Sequence, residues 1–341
     1  MHELVFFYPI NHQAHFEKGH PERPERVETM RQSFTNAGWW DIFPHLSAIE
    51  PSIEVLSAIH KMDYLRTLKA ASAQGRHLDM DTYTTTESWI LALESAGGAI
   101  AVAQAVWQRQ ANRGFALCRP PGHHATQNRG MGFCLLNNVA IAAEYILQTF
   151  GAQKLAIVDL DLHHGNGTQD IFWRRSDVLY ISTHQSPHYP GTGLLGEIGA
   201  GSGEKFTANF PLPPTTGDVG FNSVMDECIL PLLDRFTPEM VLVSYGFDTH
   251  WRDPLGNLLL SAGGYGSLIR SLTSWADNHC GGRIMLVLEG GYDLQAAAAC
   301  GLSVTSALLG EDQEDMLGPA PFPEGDGWRA TLSQAKMIWA L

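Results

Sequence analysis

Cysteine is sparse: five residues in 341, at positions 118, 134, 228, 280 and 300, with no CxxC pair among them. That excludes a disulfide framework and a cysteine-based zinc module, and the thiols, scattered through apolar runs, read as reduced core residues. Cations are scarce as well, 22 Lys and Arg against 36 Asp and Glu, for a net charge of −14. A chain of that sign repels phosphate, so nucleic acid and membrane surface are not expected partners; its acidity serves solubility and also tolerates a cationic substrate. No stretch of about 18 uninterrupted apolar residues occurs, and MHELVFFYPINHQ lacks the basic and apolar segments of a signal peptide. A cytoplasmic protein is expected. Repeats and low-complexity linkers are missing, and the Gly- and Pro-rich segments 186–204 and 311–326 are loop-sized, which leaves a single domain over 1–341. The glycines of GEIGAGSGEK (196–205) miss both phosphate-loop spacings and read as turns. His12, His15 and His20 lack ligand spacing and read as surface or loop hydrogen-bonding groups.

What the chain does have is strand–helix alternation. Near-continuously apolar runs at 4–8, 114–118, 154–161, 178–183, 240–247 and 283–290 carry the signature of parallel strands covered on both faces. Helical patterns separate them, among them ERVETMRQSF, TESWILALESAGGAIAVAQAVWQ, FCLLNNVAIAAEYILQTF and FNSVMDECILPLLDRF. The expected architecture is a doubly wound α/β domain, an open, mostly parallel sheet with helices on both faces. Ligands of such sheets bind outside the carboxyl ends of the strands.

The chemistry falls at those ends. In LAIVDLDLHHGNGT (155–168) an apolar strand runs into Asp159, Asp161 and His163 at i, i+2 and i+4, which share one face. Burying such groups unpaired costs roughly several kcal/mol, so a metal is the natural partner, and Asp oxygen with His nitrogen suits Zn²⁺. RPPGHH (119–124) places tandem histidines behind a rigid turn, as two proton-transfer groups. YGFDTHWRDP (245–254) offers Asp248 and Asp253 as further acids, either of which could complete a metal site, and LVLEGGYD (286–293) ends a strand with Gly-Gly-Tyr.

In this order, HPERPER (20–26), RPPGHHA (119–125), GFCLLNNVAIAA (132–143), DLDLHHGNGTQ (159–169), PGTG (190–193), NFPLPPTTGD (209–218), Asp253-Pro254 and EGGYDL (289–294) resemble the histone deacetylase and acetylpolyamine amidohydrolase family of zinc-dependent deacylases. The wording is closer to the class II and bacterial branch than to class I. The resemblance covers nearly the whole chain and implies an arginase-deacetylase-type sheet of about eight strands.

It also implies roles. One Zn²⁺ per chain would sit on Asp161, His163 and Asp253, with His123 and His124 as the proton-transfer pair, oriented by Asp159 and Asn166, and Tyr292 donating to the oxyanion. A structural K⁺ would take oxygens from Asp159, Ser182, Thr183 and the backbone of Asp161 and His163. Phe133, Tyr189, Leu260, Gly132 and Gly291 would line the acyl tunnel, Asp81 its rim, and Arg26 an inner pocket for released acetate. The implied substrate is an acyl-lysine protein or peptide. An acetylpolyamine or another small acylated amine is the alternative; the unremarkable span from His60 to His123 and the apolar LGNLLLS after Pro254 lean towards lysine. A catalytically silent acyl-lysine-binding protein would most simply lack Tyr292, which is present, and the acid-rich strings of two-manganese ureohydrolases are missing. The acyl chain and the oligomeric state, homo-oligomer included, stay open.

Overall fold

The computed structural model describes residues 2–341. Eight strands, β1 (His2–Phe7), β2 (His45–Leu46), β3 (Ala111–Ala116), β4 (Leu155–Asp159), β5 (Val178–Gln185), β6 (Thr207–Leu212), β7 (Val241–Tyr245) and β8 (Ile284–Leu288), form one sheet in the order β2-β1-β3-β8-β7-β4-β5-β6. Every pairing is parallel. All carboxyl ends therefore lie at one edge, and the four central strands β3, β8, β7 and β4 send their following loops to a common place.

The strands alternate between two cores: Leu4, Phe6, Ala156 and Val158 pack into one, Val5, Phe7, Leu155 and Ile157 into the other. That two-sided burial is why these strands read as unbroken apolar runs. Two strands escape that pattern. β2 is only two residues long, and β6 carries Asn209 and Pro211 at the sheet edge, where a missing N–H is tolerated.

Helix Ser88–Trp107 is long and apolar enough to cross a membrane by length and composition, but here its apolar surface is spent on the sheet. Gly98 permits the contact: a Cβ there would lie 2.1 Å from the ring of buried Phe7. Gly98→Ala should therefore cost about 1–3 kcal/mol through overpacking, seen as a thermal midpoint lowered by a few degrees; an unchanged midpoint would contradict this packing.

The helix expected from Phe133 starts only at Asn138, capped by the Asn137 side chain, which accepts from the Ala140 amide at 3.1 Å. Phe133 itself adopts φ +68°, a left-handed conformation no helix accommodates. The FNSVMDECILPLLDRF pattern stays helical, but through a π turn at Met225–Ile229 just ahead of Pro231, whose missing N–H the wider turn absorbs. The five cysteines are buried and free.

Candidate active site

Strand alternation continues past the end of β4. Leu160 and Leu162 fall into a core, while Asp159, Asp161 and His163 turn the other way, all buried. His163 Nδ1 lies 3.2 Å from Asp161 Oδ1 and 3.2 Å from Asp248 Oδ2, and donor atoms of these three residues all fall within 4.8 Å of one another. Asp161 Oδ2 accepts the Gly290 amide at 2.8 Å, and Asp248 Oδ1 accepts the Leu162 amide at 3.0 Å. Asp248 Oδ2 is buried with no hydrogen-bond partner. An orphaned carboxylate oxygen aimed at a second carboxylate and an imidazole is what a cation satisfies. Burial alone would hold His163 neutral, yet the adjacent Asp161 and Asp248 carboxylates lift its pKa to about 10. Two anions that draw a proton onto an imidazole attract a divalent cation for the same reason, and an Asp, His, Asp set suits zinc. Glycine makes the approach possible: a Cβ at Gly246 would lie 2.0 Å from Asp161 Oδ2, and one at Gly290 2.3 Å from Asp248 Oδ2.

Asp253, the third ligand that the resemblance implies, is not one of these three; its Oδ2 accepts the Tyr292 amide at 2.6 Å and the Asp293 amide at 3.3 Å, and its Oδ1 the Leu255 amide at 3.0 Å. It is a backbone clamp on the loop that carries Tyr292. Desolvation, then the charge of Asp248, raises its pKa to about 7. Both aspartates follow β7, and only the path of the intervening turn decides which one faces His163.

The tandem histidines lie beside the cluster. His123 Nδ1 is 3.1 Å from Asp159 Oδ2, and His124 Nδ1 is 2.7 Å from Asn166 Oδ1. Burial lowers the His123 pKa, but Asp161 and Asp159 outweigh it and raise it to about 10. His124 goes the other way: burial, then the neighbouring His123 and His163, hold it well below its ordinary value. Opposite an amide oxygen, His124 Nδ1 carries the proton, which leaves the Nε2 lone pair free.

Aromatic side chains surround the approach. Tyr189 meets His124 edge-on at 5.2 Å between centroids, and Phe133 meets Tyr292 at 5.8 Å, both nearly perpendicular. Tyr292 and Pro254 share a cavity of about 350 Å³ with Phe16, His20 and Pro21. Gly132 lies so close to His124 that a Cβ would come within 2.5 Å of the ring; Gly291, at φ +109°, lets the chain turn into Tyr292. Asp81 is exposed, its carbonyl 3.1 Å from His20 Nε2, and desolvation with the adjacent Asp79 raises its carboxyl pKa. Ser182 and Thr183 stand on β5 beside β4, with Ser182 in register with Asp159; the Ser182 hydroxyl pairs with His184 Nδ1 at 2.9 Å.

Leu260 is fully buried and packs into a core, while Leu255 of the same LGNLLLS segment reaches the approach, its carbonyl accepting from His188 Nε2 at 2.7 Å. Arg26 spends three of its five N–H donors inside the protein: Nη1 bonds Glu22, Nε the Gly291 carbonyl and Nη2 the Glu289 carbonyl. His12 and His15 are hydrogen-bonding groups as expected, paired with the Tyr8 and Ser88 hydroxyls at 2.8 and 2.7 Å, but they are buried rather than at the surface. Sequence reading also missed Glu289, a fully buried carboxylate that accepts the Gly122 and His123 amides at 2.7 and 3.0 Å and the Ser244 hydroxyl at 3.1 Å. Its position, immediately before the Gly-Gly-Tyr loop, is the one signal that could have drawn attention to it.

An eight-stranded parallel α/β sheet whose central strands deliver paired histidines, a carboxylate–imidazole cluster and a tyrosine defines a hydrolase of the arginase-deacetylase fold. The chain belongs to the histone deacetylase family and is a hydrolytic deacetylase: the family model described as histone deacetylase domain matches residues 20–308. A protein of Archaeoglobus fulgidus named probable deacetylase is 41% identical over 314 residues, covering 91% of this chain and 87% of that one. The Pseudomonas aeruginosa histone deacetylase-like amidohydrolase is 37% identical, covering 86% and 77%. A crystal structure of the HDA15 HD domain superimposes with a TM-score of 0.89 at 33% identity, over 99% of this chain and 94% of that one.

Proposed function

We propose that the chain is a zinc-dependent amidohydrolase that removes acetyl or another short acyl group from the side-chain amine of lysine in proteins or peptides. The observation that carries this reading is the buried Asp161, His163 and Asp248 cluster with its unpartnered oxygen, set beside His123, His124 and Tyr292. Asp161, His163 and Asp248 would hold the zinc, which when bound polarises the amide carbonyl and lowers the pKa of its water towards about 7. His124, neutral and with Nε2 free, takes the proton of the attacking water and returns it to the leaving amine as the carbon–nitrogen bond breaks. Asp159 keeps His123 oriented and charged alongside, and the Tyr292 phenol donates a hydrogen bond to the oxygen that becomes negative. A K⁺ held by Asp159, Ser182 and Thr183 oxygens is part of the same reading, supported by the Asp159–Ser182 register.

Lysine in a polypeptide is favoured by the approach to the site. Phe16 and Tyr189 expose apolar surface around it, which a peptide can cover and a polyamine cannot. Assayed with zinc restored, acetyl-lysine peptides should exceed acetylputrescine and acetylspermidine in kcat/KM by at least about tenfold, roughly 1.4 kcal/mol of discrimination. Asp79, Asp81 and the net charge attract any cation, so the comparison belongs at two ionic strengths. Acetylpolyamines outperforming every peptide at high salt would overturn the lysine assignment.

A further inference from the structure

Glu22, Arg26 and Arg119 are completely buried and share one carboxylate. Glu22 Oε1 accepts from Arg26 Nη1 at 3.0 Å and from Arg119 Nε at 2.8 Å, and Oε2 accepts from Arg119 Nη2 at 3.0 Å and the Tyr83 hydroxyl at 3.2 Å. Burial raises the Glu22 pKa, but the charges of Arg119 and Arg26 more than offset it and bring it down to about 2. From this carboxylate the two guanidinium groups lead to different loops. Arg26 donates to the Gly291 and Glu289 carbonyls, and its guanidinium carbon stands 5.0 Å from the centre of the Tyr292 ring. Arg119 opens the turn that ends in His123 and His124, and it anchors that turn on the carbonyls of His12 and His15. The Glu289 side chain closes the circuit on the Gly122 and His123 amides, while its own carbonyl is held by Arg26.

A buried ion pair is weak evidence of stability, since an apolar set of the same volume serves as well. What an apolar set cannot do is bind carbonyls of two separate loops from one point. We propose that Glu22 is a positioning residue: by holding Arg26 and Arg119 with a single carboxylate, it sets the Tyr292 loop and the His123–His124 loop at the separation the reaction needs. This rests on the reading of Tyr292 and the histidines as the groups that act on the substrate.

The test is a kinetic double-mutant cycle between Glu22→Gln and Tyr292→Phe in the full chain, with zinc content and thermal midpoint measured for each variant. Glu22→Gln should lower kcat about 10- to 100-fold, as small displacements of reacting groups do, with KM within about threefold and zinc retained. In the Tyr292→Phe background the same change should cost at least about threefold less than in the wild type, because one of the two groups it positions, the phenol, is already gone. A residue that only stabilises the fold would lower kcat by equal factors in both backgrounds, and that result, or a wild-type kcat in Glu22→Gln, overturns the proposal. If Glu22→Gln does not fold, Arg119→Lys, which keeps the charge but loses the planar grip, is carried through the same cycle and judged by the same outcomes. Failure of the functional reading looks different: it is a wild-type protein without deacylase activity, or a Tyr292→Phe variant as active as wild type.

Discussion

Asp248→Ala should leave the protein with far less than one zinc per chain and no measurable deacylation. Removing even a group that merely orients a ligand typically costs 10- to 100-fold in metal affinity, so loss of a ligand costs at least that. The orphaned Oδ2 of Asp248, 3.2 Å from His163 Nδ1, is the reason. Asp253→Ala is the matched control: its Oδ2 holds the Tyr292 and Asp293 amides, so the variant should keep its zinc while kcat falls as the loop loosens. Metal analysis of both proteins, purified without added metal, decides between them. Full zinc occupancy in Asp248→Ala, or zinc lost only in Asp253→Ala, would return the third ligand to Asp253.

Tyr292→Phe should lower kcat by about 10² to 10³, the usual worth of one oxyanion donor, with KM and zinc content nearly unchanged. Burial in the first place, and the surrounding carboxylates Asp248, Asp161 and Asp253, push the phenol pKa up despite Arg26, so the group stays protonated across the working pH range and is available as a donor. Because that contact forms mainly in the transition state, kcat and kcat/KM should fall together. Steady-state kinetics on one acetyl-lysine peptide is sufficient; a variant with wild-type kcat would make Tyr292 a packing residue.

Six of the eight strands are legible as apolar runs because both their faces are buried, and β2 and β6 are not, one being too short and the other carrying Asn and Pro at the edge. The contacts of His123 with Asp159 and of His124 with Asn166 join residues expected together from the family resemblance. The third ligand was open from the residues themselves: the resemblance points to Asp253, whereas the side-chain cluster holds Asp248, five positions earlier. Leu260 shows a related limit of sequence: an apolar residue reads the same whether it lines a tunnel or fills a core.

By itself the sequence determined the α/β class, the parallel sheet and the edge at which the chemistry gathers, because alternation and apolar periodicity are properties of neighbours along the chain. It also determined which residue types meet there. Only the tertiary structure decided that Asp248 faces His163, that Arg26 holds the Gly291 and Glu289 carbonyls, and that Glu22 lies between two loops nearly a hundred or more residues away. Those outcomes depend on the directions of side chains leaving irregular turns, and turn direction is set by long-range packing and hydrogen bonding that no local pattern records.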